Sequence, residues 1–244
     1  MSPGQASVLV TGGTRGIGLA IARRLVRDGA TRAVLGYLRN AAAAEAAAEE
    51  VRAAGAEVDL VRGNVASGPV IAKLAAAGPY RVLVHNAATG VIRTALETED
   101  KHWDWTMNAN ARSLLALARA TVPSMSAGSA IVAVSSLGSQ RVLENYVLIG
   151  TSKAALESVV RYLAVELAPR GIHVNAVSAG VVETGALEHF PNKDKMLATV
   201  ERTPAGRLVE PDDVAAAVSF LCSDDASYIS GVCLPVAGGS HTHW

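Results

Sequence analysis

The sequence predicts an α/β fold: a doubly wound parallel sheet with helices on both faces, in a single domain. Three observations predict it. The apolar run Ser7-Val8-Leu9-Val10 passes through Thr11-Gly12-Gly13-Thr14-Arg15-Gly16-Ile17-Gly18 into the amphipathic run Leu19 to Val26, the pattern of a strand, a tight turn and a helix N-terminus. Short apolar runs then alternate with helical runs along the rest of the chain, with no repeat or linker. A chain of 244 residues with 50% hydrophobic content can also bury one substantial core.

In chain order, Ala33-Val34-Leu35-Gly36-Tyr37 reads as the second strand and Ala41 to Ala54 as an alanine-rich helix stopped by Gly55. Val58-Asp59-Leu60-Val61 is a third strand, followed by a short helical run from Val70 to Ala77 that ends at Gly78-Pro79. Val82-Leu83-Val84 is the fourth strand and leads into His85-Asn86-Ala87-Ala88. His102 to Val122 has helical periodicity, with Leu114, Leu115, Leu117 and Ala118 on or near one face; Trp103 and Trp105 read as core or subunit-interface residues. Ala130 to Val134 makes a fifth strand ending at Ser135-Ser136. Tyr146 to Ala168 is a long helix stopped by Pro169 and Gly171, and Ile172 to Val177 is the sixth strand. A helix from Pro211 to Leu221 and a last strand from Val232 to Val236 complete the pattern. The one insertion, 185–208, is polar and contains Pro191 and Pro204. Ligands bind beyond the carboxyl ends of such strands, so this segment is expected to lie over the site as a short substrate lid.

Lys plus Arg and Asp plus Glu number 22 each, so no basic surplus argues for nucleic acid or an anionic membrane. The expected partner is a small molecule or another copy of the chain. Cys222 and Cys233 are too few for a disulfide framework, and no run resembles a signal peptide or membrane span, which suggests a cytoplasmic protein. The histidines and cysteines lack metal-ligand spacing, so no metal is expected.

A glycine-rich turn entering a helix can cradle phosphate, since its backbone approaches closely and the helix N-terminus offers unpaired N–H groups. The same glycines also serve plain strand-to-helix connections. The spacing Gly-x-x-x-Gly-x-Gly with Thr11 in front resembles the short-chain dehydrogenase/reductase family, which has a Rossmann-type fold. That resemblance implies that Gly12, Thr14, Arg15, Gly16, Ile17 and Gly18 hold a dinucleotide, with Arg15 placed where NADPH users carry a basic residue. An acid ending the second strand would hold the ribose of NAD, but this segment ends Leu38-Arg39-Asn40. Arg39 is either a solvated surface residue or, with Arg15, a clamp for the 2′-phosphate; both arginines without an acid favour NADPH. Asn64 and Val65 stand where the family has Asp-Val against the adenine. Asn86 and Ala87 match its Asn-Asn-Ala-Gly element beside the ribose, whereas His85 and Ala88 depart from it. His85 reads as a hydrogen-bonded structural residue. Thr184 matches a threonine at the cofactor phosphates, although Ala179 replaces the usual proline.

Carbonyl reduction needs a hydride donor and an acid for the forming alkoxide. The resemblance implies a Tyr-x-x-x-Lys pair with an upstream serine and a helix-kinking asparagine that holds a water near the lysine. Lys153, Ser136 and Asn110 match, but the tyrosine position is Ile149, which has no proton to give. Two repairs are visible. Tyr146 precedes Lys153 with six residues between, a Tyr-x6-Lys pattern, and the surrounding run, with Trp103 to Asn108 and Thr203 to Arg207, resembles the enoyl-acyl-carrier-protein reductases. Alternatively Tyr146 is a helix-start aromatic packed under the lid, and the substrate supplies the proton. A phenol beside the ketone of an aromatic polyketide would do so, and the chain is also similar to atypical angucyclinone ketoreductases of the family.

The expected function is therefore NADPH-dependent reduction of a polyketide ketone. The alternatives are an enoyl thioester reductase using Tyr146 and Lys153, and a catalytically silent NADPH-binding protein. The family pairs subunits through the helices that here begin near His102 and Tyr146, which implies a homodimer or homotetramer.

Overall fold

The structure is a computed structural model that describes residues 6–185, 197–198 and 203–242. Seven parallel strands form one sheet in the order β3-β2-β1-β4-β5-β6-β7. They are β1 (Ser7–Thr11), β2 (Arg32–Tyr37), β3 (Glu57–Arg62), β4 (Val82–His85), β5 (Ala130–Ser136), β6 (His173–Ala179) and β7 (Cys233–Val236). The helices are α1 (Gly16–Arg27), α2 (Ala41–Ala53), α3 (Gly68–Ala76), α4 (Asp100–Met107), α5 (Ser113–Thr121), α6 (Val147–Leu167) and α7 (Pro211–Leu221). The doubly wound α/β fold expected from the sequence is the fold observed.

The aliphatic runs make central strands because a parallel sheet covered on both faces buries every side chain of its inner strands. β1 and β4 are buried throughout. Alternation then divides the core in two. Val8, Val10, Val82, Val84 and Val132 meet Ile21 and Leu25 of α1 and Val218 of α7 on one face. Leu9, Leu83 and Ile131 meet Leu114 of α5 and Leu156 and Val160 of α6 on the other. β1 is the switch point: β2 and β3 lie on one side of it, and the chain crosses back to place β4 on the other. Strand order reverses between β1 and β4, so their carboxyl ends open a crevice where ligands bind in such sheets.

The main departure from expectation is the helix foreseen over His102 to Val122. It begins earlier, at Asp100, and is broken into α4 and α5 by a π-helical turn over Asn108–Arg112. The apolar spacing stays helical across this break, so the pattern conceals it, whereas wider turns of this kind recur at functional sites. Trp103 and Trp105 are not core residues; they are 44% and 43% exposed. Other strand and helix ends shift by one to three residues, as when α3 begins at Gly68 rather than Val70 and α1 at Gly16 rather than Leu19. Most of the expected lid, 186–196 and 199–202, lies outside the described residues. The chain on either side of the expected lid meets in a bridge between Val182 and Val209. Among the described residues, no helix is long and apolar enough to cross a membrane.

Candidate active site

The glycine turn is shaped by close approach. Gly12 and Gly16 have positive φ angles of 64° and 49°. A Cβ on Gly12 would stand 2.9 Å from Asn86 Nδ2, and one on Gly18 would overlap the carbonyl of Gly12. The turn is stitched to β4: Asn86 Nδ2 donates to the carbonyls of Thr11 (3.1 Å) and Gly12 (3.0 Å), while Asn86 N and Ala87 N both donate to Thr11 Oγ1 at 3.1 Å. Asn86 and Ala87 thus shape the loop. Arg15 precedes α1 without a side-chain cap, and the first turn holds no acid, so its N–H groups face outward for an anion. Ile17 packs on the core below, and Thr14 is half-buried. Thr184 approaches from the loop after β6, its Cγ2 standing 3.4 Å from where a Cβ on Gly16 would lie.

Arg15 and Arg39 are exposed, and neither pairs with an acid among the described residues. Asn40 caps α2 by accepting from Ala43 N at 3.0 Å. Asn64 uses its oxygen within its own turn, accepting from Ala66 N at 2.9 Å, which leaves the amide N–H groups for a ligand. Val65 packs on the adjoining core.

The candidate catalytic residues gather where β5 meets α6. Ser136 Oγ accepts from Gly138 N (3.3 Å) and from Tyr146 Oη (3.4 Å), so its own proton is available. Tyr146 follows Asn145, whose left-handed φ of 60° is one that asparagine tolerates. Burial raises the Tyr146 pKa, and the hydrogen bond to Ser136 opposes this only in part; Lys153 makes no contribution. Lys153 is itself buried and donates from Nζ to Val134 O at 2.7 Å. Burial pulls its pKa down to about 8, against the attraction of Glu157. Ile149 is buried and packs over Gly90 and beside Thr106. A cavity of about 590 Å³ is lined by Tyr146, Arg93, Arg141, Leu143 and Gly150 among others; Ser136 and Lys153 do not line it.

Asn110 sits in the π turn, completely buried. Its amide donates to Thr89 O and Ser152 Oγ, both at 2.8 Å, and accepts from Thr89 N at 2.8 Å. The side chain therefore braces the loop after β4 against α6, with both amide protons committed and one acceptor site of its oxygen left over. His85, on the central strand, pairs through Nε2 with Ser113 Oγ at 2.7 Å, and Ser113 donates onward to Ala109 O at 2.6 Å. Ser113 has one proton, so His85 is the donor in that pair. Burial, with Lys153 nearby, drives its pKa to about 3 and keeps it neutral. The site also holds a residue that sequence reasoning missed. Glu157 is buried one turn along α6 from Lys153. Its spacing of four from Lys153 was the available signal.

Residues 12–241 match the family model described as enoyl-(acyl carrier protein) reductase. Over 95% of its length the chain is 37% identical to 1-cyclohexenylcarbonyl-CoA reductase of Streptomyces collinus, covering 85% of that protein. It is 32% identical to acetoacetyl-CoA reductase of Allochromatium vinosum, with coverage of 96% and 98%. Its fold matches a short-chain dehydrogenase from Burkholderia cenocepacia solved in complex with NADP, with a TM-score of 0.88, 31% identity and coverage of 96% and 97%. The glycine loop, the Ser136 and Lys153 pair and these matches together make the chain an oxidoreductase that belongs to the short-chain dehydrogenase/reductase family.

Proposed function

We propose that the protein is an NADPH-dependent reductase of a ketone on an aromatic, angucyclinone-type polyketide in antibiotic biosynthesis, acting without an acid tyrosine at position 149. The observation that carries this reading is the environment of Tyr146. Its phenol is raised by burial and receives nothing from Lys153, which donates to Val134 O, and Ile149 is inert. A ketone bound here meets no phenol primed to release a proton at neutral pH.

The residues present fit the cofactor. The Gly12 to Gly18 loop is a cradle that added Cβ atoms would fill, Thr184 faces it, and Arg15 with Arg39 supplies charge for a 2′-phosphate. When bound, NADPH supplies the hydride. Ser136 holds the substrate carbonyl with its available proton, and the Lys153 ammonium favours the negative charge that develops on the oxygen. A phenol beside the ketone completes the reaction by passing its proton to that oxygen, leaving a phenolate that is milder than a bare alkoxide. The polyketide assignment rests on the resemblance to the atypical angucyclinone ketoreductase of simocyclinone biosynthesis.

A second reading is favoured by the Tyr146 to Ser136 contact and by the unsaturated thioester named for the Streptomyces collinus relative above. An enoyl thioester, bound with its carbonyl on Tyr146 Oη, needs a hydrogen-bond donor there and no lowered pKa. NADPH oxidation by the purified protein separates the possibilities. Turnover driven by peri-hydroxy aromatic ketones and not by crotonyl thioesters supports the first reading, and the reverse supports the second. Tight NADPH binding without turnover on either panel would mark a non-catalytic binding protein. In the cytoplasm, we propose, the chain works as a homodimer or homotetramer. Apolar side chains on α4 and α6 support this, among them Tyr162 at 70% and Val165 at 75% exposure.

A further inference from the structure

Glu157 is a buried carboxylate that the chemistry above does not use. The loop after β5 closes on it. Ser135 Oγ and Ser139 Oγ each lie 2.5 Å from Glu157 Oε1, and Gln140 Nε2 donates to Oε2 at 3.3 Å. Ser139 Oγ also lies 2.8 Å from the carbonyl oxygen of Ser136. From β7 the Cys233 thiol bonds to the same carboxylate. Ser136, the residue that would hold the substrate oxygen, therefore sits in a short segment gripped on both sides by one side chain. That side chain is four residues from Lys153 on the same helix.

We infer that Glu157 is a positioning residue for the reacting pair: it pins Ser136 through the serines flanking it and sets a negative charge one helical turn from the Lys153 ammonium. Burying a carboxylate is costly unless its oxygens are well bonded, and its several donors answer that cost while locking the loop. The groups around Lys153 leave Glu157 as the charge that matters. His85 on β4 is neutral, Asn110 on the π turn and Ser136 on β5 are uncharged, and burial raises both the Tyr146 phenol and, to about 12, the Cys233 thiol. Removing the Glu157 charge lets burial act on Lys153 unopposed, so the ammonium gives up its proton at lower pH.

The test compares Glu157→Gln, which keeps the shape and an acceptor for the serines, with Glu157→Ala, which keeps neither. Titration of the lysine Cε resonances by NMR, with Lys153→Met as the assignment control, needs no substrate and stands apart from the reductase reading. The pH profile of kcat/KM adds the kinetic arm, which does rest on that reading. In Glu157→Gln the Lys153 titration and the alkaline limb should both move down by about one pH unit. In Glu157→Ala kcat should fall by about tenfold or more, with KM for NADPH within about threefold of wild type and Glu157→Gln retaining more of kcat. A Lys153 titration unmoved in folded Glu157→Gln would overturn the inference, as would full kcat in Glu157→Ala. Absence of turnover in the wild type would count against the reductase reading, and the NMR titration would still decide for or against the role of Glu157.

Discussion

Tyr146 Oη donates to Ser136 Oγ across 3.4 Å, while Lys153 turns its ammonium to Val134 O at 2.7 Å. A lysine lowers the pKa of a phenol only when its charge is felt there, and here burial alone sets the direction, upward. Tyr146 is thus suited to hold Ser136 or a carbonyl by a hydrogen bond, and poorly suited to deliver a proton during a hydride transfer.

Tyr146→Phe should therefore reduce kcat on a peri-hydroxy ketone by less than about fivefold. General acid participation is worth ~10²–10⁴ in rate, so a loss above about a hundredfold in steady-state kinetics would make Tyr146 the donor.

Arg15→Ala combined with Arg39→Ala should weaken NADPH binding by about tenfold or more and NADH binding by less than about threefold, as read by fluorescence titration. Both side chains are exposed, so the difference should shrink as salt is added. Equal losses for the two nucleotides would refute the phosphate clamp.

His85 gives the fold a sensitivity to acid. Its pKa falls from 6.5 to about 3 on folding, so between those values the unfolded chain binds the extra proton and stability drops as pH is lowered. His85→Asn retains a donor for Ser113 without the titration. The melting temperature of the wild type should fall more steeply than that of the variant from pH 6.5 to 4; parallel curves would contradict the assignment.

The strands were legible because buried parallel strands read as unbroken aliphatic runs ending in glycine or serine, as in Val8 to Gly13 and Ala130 to Ser136. The glycine loop was legible because backbone crowding at Gly12 and Gly18 admits no other residue. What escaped depends on contacts between distant segments. The π turn leaves the apolar spacing intact, so Asn108–Arg112 looks like ordinary helix. Lys153 finds its acceptor on a strand nineteen positions earlier, and Glu157 resembles any helix acid until the serines of β5 and its loop fold onto it. Asn64 presents the same residue type whether it reaches a ligand or closes its own turn.

The central claim is that the substrate, and not a side chain at position 149, supplies the proton. The most direct measurement compares NADPH oxidation with a peri-hydroxy aromatic ketone and with its O-methyl ether under identical conditions. A loss of about a hundredfold or more in kcat/KM for the methyl ether is the predicted result. Comparable rates for the two would contradict the account, since the ether has no proton to give.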